Sequence, residues 1–161
     1  MNWYLLQCKP NQVNRARENL GNQGFDTYCP EHKVKRLLRR QLSIKSEPVF
    51  PGYLFIQLDA HSNWQALRAT RGVSRIVSFN GMPYPVSDTL ISALQQHYGE
   101  HITPAPLYQA GDKVRITDGC FKDIEAIVKA VTSDERIIVL MNILHSEQAL
   151  AMDARQLAKA G

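Results

Sequence analysis

The functional side chains that stand out in this sequence are the cations of lysine and arginine, which can bind phosphate groups. Six lysine and arginine residues fall within residues 33–45, and no acidic residue interrupts them. Such a run can follow the phosphates of a nucleic acid, with binding that weakens steeply as salt rises, or it can be a solvated hairpin without a partner. Residues 1–100 carry 12 Lys and Arg against 7 Asp and Glu, and the remainder carry 7 against 8. A polyanion would therefore bind to the amino-terminal part.

Further basic residues are spread along the amino-terminal part. Lys9, Arg15 and Arg17 lie near the start, and residues 68–72 read RATRG. A loop between a helix and a strand can present backbone amides and guanidinium groups to a phosphate together. An ordinary surface loop has the same composition, so this segment alone does not indicate a site.

The segment FPGYLFIQL, residues 50–58, is the most apolar strand pattern in the chain. Alternation places Tyr53 and Phe55 on one face of the strand and Leu54 and Ile56 on the other. Both faces are apolar. Either the strand is buried on both sides, or one face is a surface that binds a partner.

The sequence lacks the patterns of catalytic and metal sites. No Walker, Rossmann, zincin or nucleophile-elbow motif occurs, the five histidines are dispersed, and Cys8, Cys29 and Cys120 form no C-x-x-C pair. We therefore expect a protein that is not an enzyme and needs no metal or cofactor. Its three cysteines favour a reducing compartment. No basic signal region or apolar stretch near 18 residues occurs, which predicts a cytoplasmic protein without a membrane partner.

The elements that must position these groups follow the order β-α-β-β-β-α-β-α over the first 100 residues. Strands are predicted at WYLLQC, FDTYCP, GYLFIQL and VSRIVSF, helices at QVNRARENL, NWQALRA and after Ser87, and a hairpin or long curved strand over the basic run. Asn11 and Ser87 are expected to cap helices, and Asn80 and Gly81 to form a turn. This order predicts an α+β fold with helices against a mainly antiparallel sheet.

The carboxyl-terminal part suits two structures. Pro104 and Pro106 favour a spacer, so residues 1–100 are predicted to form one domain, 101–110 a linker and 111–161 a second, small domain. That domain opens with GDKVRITDGC, which is typical of a strand and turn. Its later apolar residues, such as Ile124, Ile127 and Leu140, recur at helical spacing but also alternate as strands would. A sequence that suits two folds lacks the single energy gap of an ordinary domain.

These features, in this order, resemble the NusG family of transcription elongation factors. The resemblance rests on Trp3 and Tyr4, the FPGYLF strand and the ATRGV loop for an amino-terminal domain, and on GDKVRITDGCFKD for a KOW domain. The chain is most similar to specialised antitermination paralogues within the family. They share WYLLQCKP and SEPVFPGYLF, and Ala126, His145 and Ala149 stand where general members tend to have glycine or proline. Such replacements remove helix penalties of roughly 1 kcal/mol for glycine and roughly 3 for proline.

The resemblance implies an operon-specific elongation and antitermination factor, a monomer, that acts on paused RNA polymerase and reduces pausing and termination. Its KOW-type domain would be an α-helical hairpin at rest and a β-barrel after release, when it would bind a ribosomal small-subunit protein. Residues implied to contact the clamp helices of the largest polymerase subunit are Phe50, Tyr53, Leu54 and Phe55. Residues implied to contact single-stranded non-template DNA are Lys9, Gln12, Arg15, Gln23, Arg39, Thr70 and Arg71. The implied salt bridge between the domains joins Glu47 and Arg136.

Two alternatives stay open. One is a general NusG-type elongation factor whose KOW barrel is constitutive. The other is a ribosomal-type RNA-binding KOW protein. Circular dichroism of the carboxyl-terminal part separates the first alternative from a switching protein, and co-purification with polymerase or with ribosomal RNA separates the second.

Overall fold

The computed structural model describes residues 2–59, 61–99 and 118–160 of the chain. The central sheet has four strands in the order β2-β5-β1-β6, and all its pairs are antiparallel. In chain order the elements are β1 (Asn2–Cys8), α1 (Val13–Asn22), β2 (Asp26–Tyr28), β3 (Glu31–Leu38), β4 (Gln41–Pro48), β5 (Tyr53–Leu58), α2 (Trp64–Ala69), β6 (Val73–Ile76), β7 (Ser78–Phe79), β8 (Met82–Pro83), α3 (Asp88–Tyr98), α4 (Asp118–Lys129) and α5 (Ser133–Ala160). The α+β architecture with an antiparallel sheet confirms the prediction from the sequence.

The basic run forms the β3–β4 hairpin, which is a separate two-stranded sheet. Its eight residue pairs extend from Glu31 opposite Pro48 to Leu38 opposite Gln41. Of the two forms expected for this run, the structure therefore has the hairpin and not one long curved strand. The hairpin joins β2 to β5, so its base lies at the edge of the central sheet.

Both faces of the central sheet are buried, because its inner strands carry apolar residues on each of their two alternating faces. On one face Leu54 and Ile56 of β5 belong to a core with Ala16 and Leu20 of α1 and Leu67 of α2. On the other face the sheet contributes Leu5 and Phe55 to a second core. The helices contribute to that second core Leu90 and Leu94 of α3, Ile124 and Ile127 of α4, and Leu140, Ile143 and Leu144 of α5.

Two of the three predicted features, the cap at Ser87 and the turn at Asn80 and Gly81, form as expected. The Ser87 side chain accepts a hydrogen bond from the backbone N–H of Leu90 at 3.2 Å, which caps α3. Asn80 and Gly81 both have positive φ, 54° and 78°, in the turn between β7 and β8. The prediction that Asn11 caps α1 was wrong: α1 begins at Val13, after Gln12, and Asn11 has φ of 60°. Asparagine tolerates the left-handed region, and the turn after β1 uses it there.

The carboxyl-terminal part of the described chain consists of two helices, α4 and α5, as its helical pattern predicts. A short turn separates them, and the Thr132 hydroxyl accepts from the N–H of Glu135 at 3.2 Å while Glu135 Oε2 accepts from the N–H of Val131 at 2.9 Å. Ala126 lies within α4 and His145 within α5. The predicted linker, residues 101–110, and the GDKVRIT opening, residues 111–117, lie outside the described residues. No helix among the described residues is long and apolar enough to span a membrane.

Candidate nucleic-acid interface and apolar face

Six of the predicted DNA-binding residues lie where the end of β1, helix α1 and the α2–β6 loop meet. The backbone N–H of Lys9 donates to the carbonyl of Gly72 at 2.8 Å. Gln23 Nε2 donates to the Thr70 hydroxyl oxygen at 2.9 Å, and an Arg15 guanidinium nitrogen donates to Gln12 Oε1 at 3.5 Å. The members of this group, called the basic cluster below, are Lys9, Gln12, Arg15, Gln23, Thr70 and Arg71.

Gly72 brings the α2–β6 loop into direct contact with α1. Its φ is 95°, and a Cβ atom there would lie 2.8 Å from the carbonyl oxygen of Gln12 and 3.0 Å from the backbone N of Ala16. Both atoms belong to the main chain and cannot move aside. Only glycine therefore lets this loop, which also carries Arg71, approach α1 so closely.

The members of the basic cluster divide into exposed cations and internal supports. Lys9, Arg15 and Arg71 are exposed. Thr70 is only 7 % exposed, and its hydroxyl donates to the carbonyl of Ala66 at 2.8 Å while it accepts from Gln23. A threonine used in this way positions the loop rather than reaching outward.

The sequence interpretation did not assign Asn19 to the site, but the structure places it there. Asn19 Nδ2 donates to the carbonyl of Arg71 at 3.5 Å, and the carbonyl of Asn19 accepts from Gln23 Nε2 at 3.2 Å. Helical spacing places Asn19 on the same face as Arg15, since residues four apart share one helix face, but this spacing alone did not mark it as a binding residue.

Arg39 is the one predicted DNA-binding residue that lies elsewhere. It sits with Arg40 in the turn of the β3–β4 hairpin, and both side chains are exposed. Among the described residues no hydrogen bond or ion pair joins Arg39 to the basic cluster. The predicted DNA-binding residues therefore form two separate surfaces.

Phe50, just before β5, and Tyr53 and Phe55 of β5 belong to the second core and are called the apolar face below. Phe50 is 2 % exposed and Phe55 1 %, and their ring centroids are 6.3 Å apart in an edge-to-face arrangement. Tyr53 is partly buried against the same core. The residues of α4 and α5 in this core are Ile124, Ile127, Leu140, Ile143 and Leu144. In this structure the two helices therefore cover the apolar face.

Leu54 does not belong to the apolar face. It is fully buried in the opposite core, under α1 and α2, with Leu6 and Ile56. The placement of Leu54 among the polymerase-contacting residues is therefore corrected: the side-chain alternation of β5 turns it away from Tyr53 and Phe55.

The expected salt bridge between Glu47 and Arg136 is replaced by two other contacts. Glu47 pairs with Arg36 across the hairpin, with the closest nitrogen and oxygen 2.8 Å apart and two hydrogen bonds of 2.9 Å. Arg136 Nε instead donates to the carbonyl of Val49 at 2.9 Å. Arg36 and Glu47 lie on adjacent strands of the same hairpin, so their side chains are held close together. Arg136 still ties α5 to the segment that carries Phe50, but through a backbone acceptor.

His32 lies next to these contacts, at the base of the hairpin. Its Nε2 is buried and has no hydrogen-bond partner, and it shares a cleft with Glu47 and Arg136. Burial is the main cause that lowers the pKa of His32; the Arg136 charge lowers it further, and Glu47 opposes this. The imidazole is therefore neutral near pH 7.

A second polar contact joins α5 to the amino-terminal part. The Ser87 hydroxyl donates to Glu147 Oε1 at 3.1 Å. Burial raises the pKa of Glu147, the Ser87 hydrogen bond lowers it, and the nearby Asp123 carboxylate raises it. Burial also raises the pKa of Asp123. Two carboxyl groups of the helical pair thus lie in a partly desolvated position beside the start of α3.

The described residues contain no group of three or more His, Cys, Asp and Glu side chains that could hold a metal ion. Cys8 and Cys29 are free and buried. Burial, with a smaller contribution from Cys29, raises the pKa of Cys8 to about 11. A thiol with that pKa is protonated at neutral pH and is a poor nucleophile.

Comparison with known proteins points to one family. The family described as "NusG: Transcription termination factor nusG" matches residues 1–95. The transcription termination/antitermination protein NusG of Deinococcus radiodurans is 26% identical over 187 residues, covering 98% of both chains. The protein of the same name from Escherichia coli K12 is 28% identical over 176 residues, covering 98% of this chain and 96% of that one. The solved structure titled "Domain interaction in Thermotoga maritima NusG" is similar with a TM-score of 0.41 and 22% identity, covering 70% of this chain and 68% of that one.

Proposed function

This chain belongs to the NusG family of transcription factors, and we propose that it is an operon-specific elongation and antitermination factor of the RfaH type. In this proposal it is recruited to paused RNA polymerase through the non-template DNA strand, and it reduces pausing and termination. The basic cluster binds the single strand, and the apolar face binds the clamp helices of the largest polymerase subunit. The protein acts in the cytoplasm as a monomer.

The observation that carries the proposal is the cover over the apolar face. Phe50 and Phe55 are buried under α4 and α5, and burial of a large apolar side chain stabilises the covered state by about 1.5–3 kcal/mol. A surface bound by α4 and α5 is closed to polymerase. Binding to polymerase then requires that the helices leave, so the covered form resists polymerase until a second contact favours release.

That second contact is the DNA strand. The basic cluster is exposed in the covered form, so DNA bound to it holds the protein beside polymerase and raises its local concentration there. Polymerase binds only the open form and therefore shifts the population towards it. The released carboxyl-terminal residues then adopt the KOW barrel, which binds a ribosomal small-subunit protein and couples transcription to translation. The helices α4 and α5 support this switching factor over a general factor with a constitutive barrel. The match over residues 1–95 supports it over a ribosomal-type protein.

A pair of neighbouring substitutions on α4 tests the proposal in the full chain. Ile127 is fully buried in the same core as the apolar face, whereas Val128 is 50 % exposed. We expect Ile127→Glu to displace the helices and to bind RNA polymerase without DNA, because a carboxylate cannot stay in that core. Val128→Glu should behave as the unaltered protein, which needs DNA carrying the recruiting element. Equal DNA dependence in both variants would contradict the proposed cover.

A further inference from the structure

A cavity of about 390 Å³ lies where the covering helices meet the amino-terminal part. Its described lining residues belong to β3 and β4 at the base of the hairpin, to the ends of α3 and α4, and to the first turn of α5. Ligand cavities in proteins have volumes of roughly 300–1,000 Å³ and occur preferentially between domains. The cavity is therefore large enough for a small molecule that contacts both parts of the chain.

An arginine and a lysine line this cavity without acidic partners among the described residues. Arg136 of α5 donates from Nε to the carbonyl of Val49, and no ion pair joins it or Lys33 of β3 to a described acid. Burial raises the pKa of Tyr98 and the Arg136 charge lowers it, so the guanidinium lies near that ring. Such an arginine and lysine in one cavity suit the recognition of phosphate groups.

The cavity also contains a buried nitrogen without a partner. Nε2 of His32 is buried and has no hydrogen-bond partner among the described residues. A buried polar atom that makes no hydrogen bond destabilises the fold. Inside a cavity, such an atom marks a place where a bound ligand gains a hydrogen bond.

Three aromatic rings meet at the cavity. Tyr98 lies edge-to-face against His97, with ring centroids 4.6 Å apart, and against His32, with centroids 6.5 Å apart. His97 is exposed and Tyr98 is half-buried, so ring surface stays accessible to a planar group. Aromatic side chains bind nucleobases by stacking, whichever base is present.

Glu31 is the one acidic residue among the described residues that line the cavity. Its Oε2 accepts a hydrogen bond from the Ser46 hydroxyl at 3.0 Å. A carboxylate repels a bare phosphate but accepts hydrogen bonds from ribose hydroxyls. The combination of cations, aromatic rings and one carboxylate therefore favours a nucleotide over inorganic phosphate.

We propose that this cavity binds a nucleoside diphosphate, which holds the cover over the apolar face closed. The phosphates bind Arg136 and Lys33, the base stacks on His97, and a polar atom of the ligand pairs with Nε2 of His32. Because α4 and α5 form part of the walls, only the covered form has the complete site. At a ligand concentration of about 100 times Kd, the ratio of covered to open protein rises about hundredfold. The effect on polymerase binding rests on the proposed function, whereas diphosphate binding itself does not.

The test is a calorimetric titration of the full chain with guanosine diphosphate and with adenosine diphosphate, beside inorganic phosphate and adenosine alone. We expect a diphosphate to bind, and each partial ligand to bind about tenfold more weakly or less. The bound diphosphate should raise the melting temperature and slow hydrogen exchange in α4 and α5. The inference is overturned if neither diphosphate binds at millimolar concentration. It is also overturned if inorganic phosphate binds as tightly as the diphosphates, because the base then makes no contact.

Two pairs of substitutions with matched controls locate the ligand. Lys33→Gln should weaken diphosphate binding about threefold or more, and Lys35→Gln on the same strand should not. His97→Ala should weaken it about fivefold or more, and Gln96→Ala should not. All four side chains are exposed, so the fold tolerates these changes. Equal effects within either pair would contradict binding in this cavity.

Leu144→Glu tests whether the site needs the covering helices. Leu144 is buried in the core that covers the apolar face and does not line the cavity. A carboxylate there should open the cover, which loss of hydrogen-exchange protection in α5 verifies, and diphosphate binding should then be lost. Retained binding by the opened variant would overturn the inference.

Failure of the proposed function gives a different result, because none of these titrations contains polymerase or DNA. If both proposals hold, the diphosphate also weakens polymerase binding by the unaltered chain and leaves binding by Ile127→Glu unchanged. A diphosphate that binds and protects α4 and α5 without weakening polymerase binding would support the site and contradict the proposed function.

Discussion

The hydroxyl of Ser87 lies 3.1 Å from Oε1 of Glu147 and donates a hydrogen bond to it. Ser87 also caps α3 by accepting from the N–H of Leu90. The same hydroxyl therefore caps the start of α3 in the amino-terminal part and binds α5 of the covering pair. This hydrogen bond is partly buried. Burial also raises the pKa of the Glu147 carboxyl group. The cover over the apolar face is thus sensitive to the protonation of Glu147.

Glu147→Gln should tighten the cover at neutral pH. Burial raises the pKa of Glu147 above its ordinary value of 4.5, so the covered form binds this proton more readily than the open form does. The stabilisation is complete below the ordinary pKa and is lost as pH rises through the raised one. Glutamine can still accept from Ser87 without a charge. Hydrogen exchange of α4 and α5 should show greater protection in the variant at pH 7, and the difference should vanish near pH 4.

Asp123 provides a second test of the pH effect. Burial raises the pKa of Asp123 as well. Asp123→Asn should shift protection in the same direction, because the two carboxyl groups repel each other when both are charged. The double variant should gain less than the sum of the two single variants. Protection that does not differ between the unaltered chain and Glu147→Gln at pH 7 would contradict this account.

Gly72→Ala should destabilise the domain more than an alanine at another left-handed glycine. At Gly72 the added Cβ meets main-chain atoms at 2.8 and 3.0 Å, whereas at Gly24, with φ of 89°, nothing lies within 4 Å. Both variants carry backbone strain of about 1 kcal/mol, but only Gly72→Ala adds a clash. Urea unfolding should show an extra loss of about 1–3 kcal/mol for Gly72→Ala, together with weaker single-strand binding. Equal losses at the two glycines would contradict the close approach.

Glu47 and Arg136 should behave as independent residues in a double-mutant cycle. Glu47 is bonded to Arg36 and Arg136 to the carbonyl of Val49, so their substitutions to alanine should add within about 0.5 kcal/mol. The pair Arg36 and Glu47 should instead show a coupling energy of up to about 1 kcal/mol, as expected of a largely exposed ion pair. A larger coupling energy between Glu47 and Arg136 would restore the salt bridge that the sequence implied.

Tyr53→Ala and Leu54→Ala should separate binding from stability, although the residues are adjacent. Tyr53 is partly buried on the apolar face, so its loss should weaken polymerase binding while the amino-terminal domain stays folded. Leu54 is fully buried in the opposite core, and its truncation should cost about 2–5 kcal/mol of unfolding free energy. The measurements are thermal unfolding and polymerase binding in the Ile127→Glu background, where the face is open.

Local patterns predicted most elements correctly and failed where one residue type suits two different roles. The alternation of β5 predicted its two buried faces, and Ser87 and the turn at Asn80 and Gly81 followed from their side chains. Asn11 was misassigned, because asparagine serves both as a helix cap and as a left-handed turn residue. Only the course of the chain after β1 selects between them.

The α+β order, the cationic residues and the capacity of the carboxyl-terminal part to form helices could all be predicted, because they follow from side-chain type and periodicity. Which side chains contact each other could be read only from the folded structure. In the folded chain Leu54 packs under α1, and Arg39 lies apart from Arg15. Glu47 pairs with Arg36, and Glu147 accepts a hydrogen bond from Ser87. The contacts of Leu54 with α1 and of Glu147 with Ser87 join residues far apart in the chain. Their partners are determined by the packing of whole elements, which no local pattern encodes.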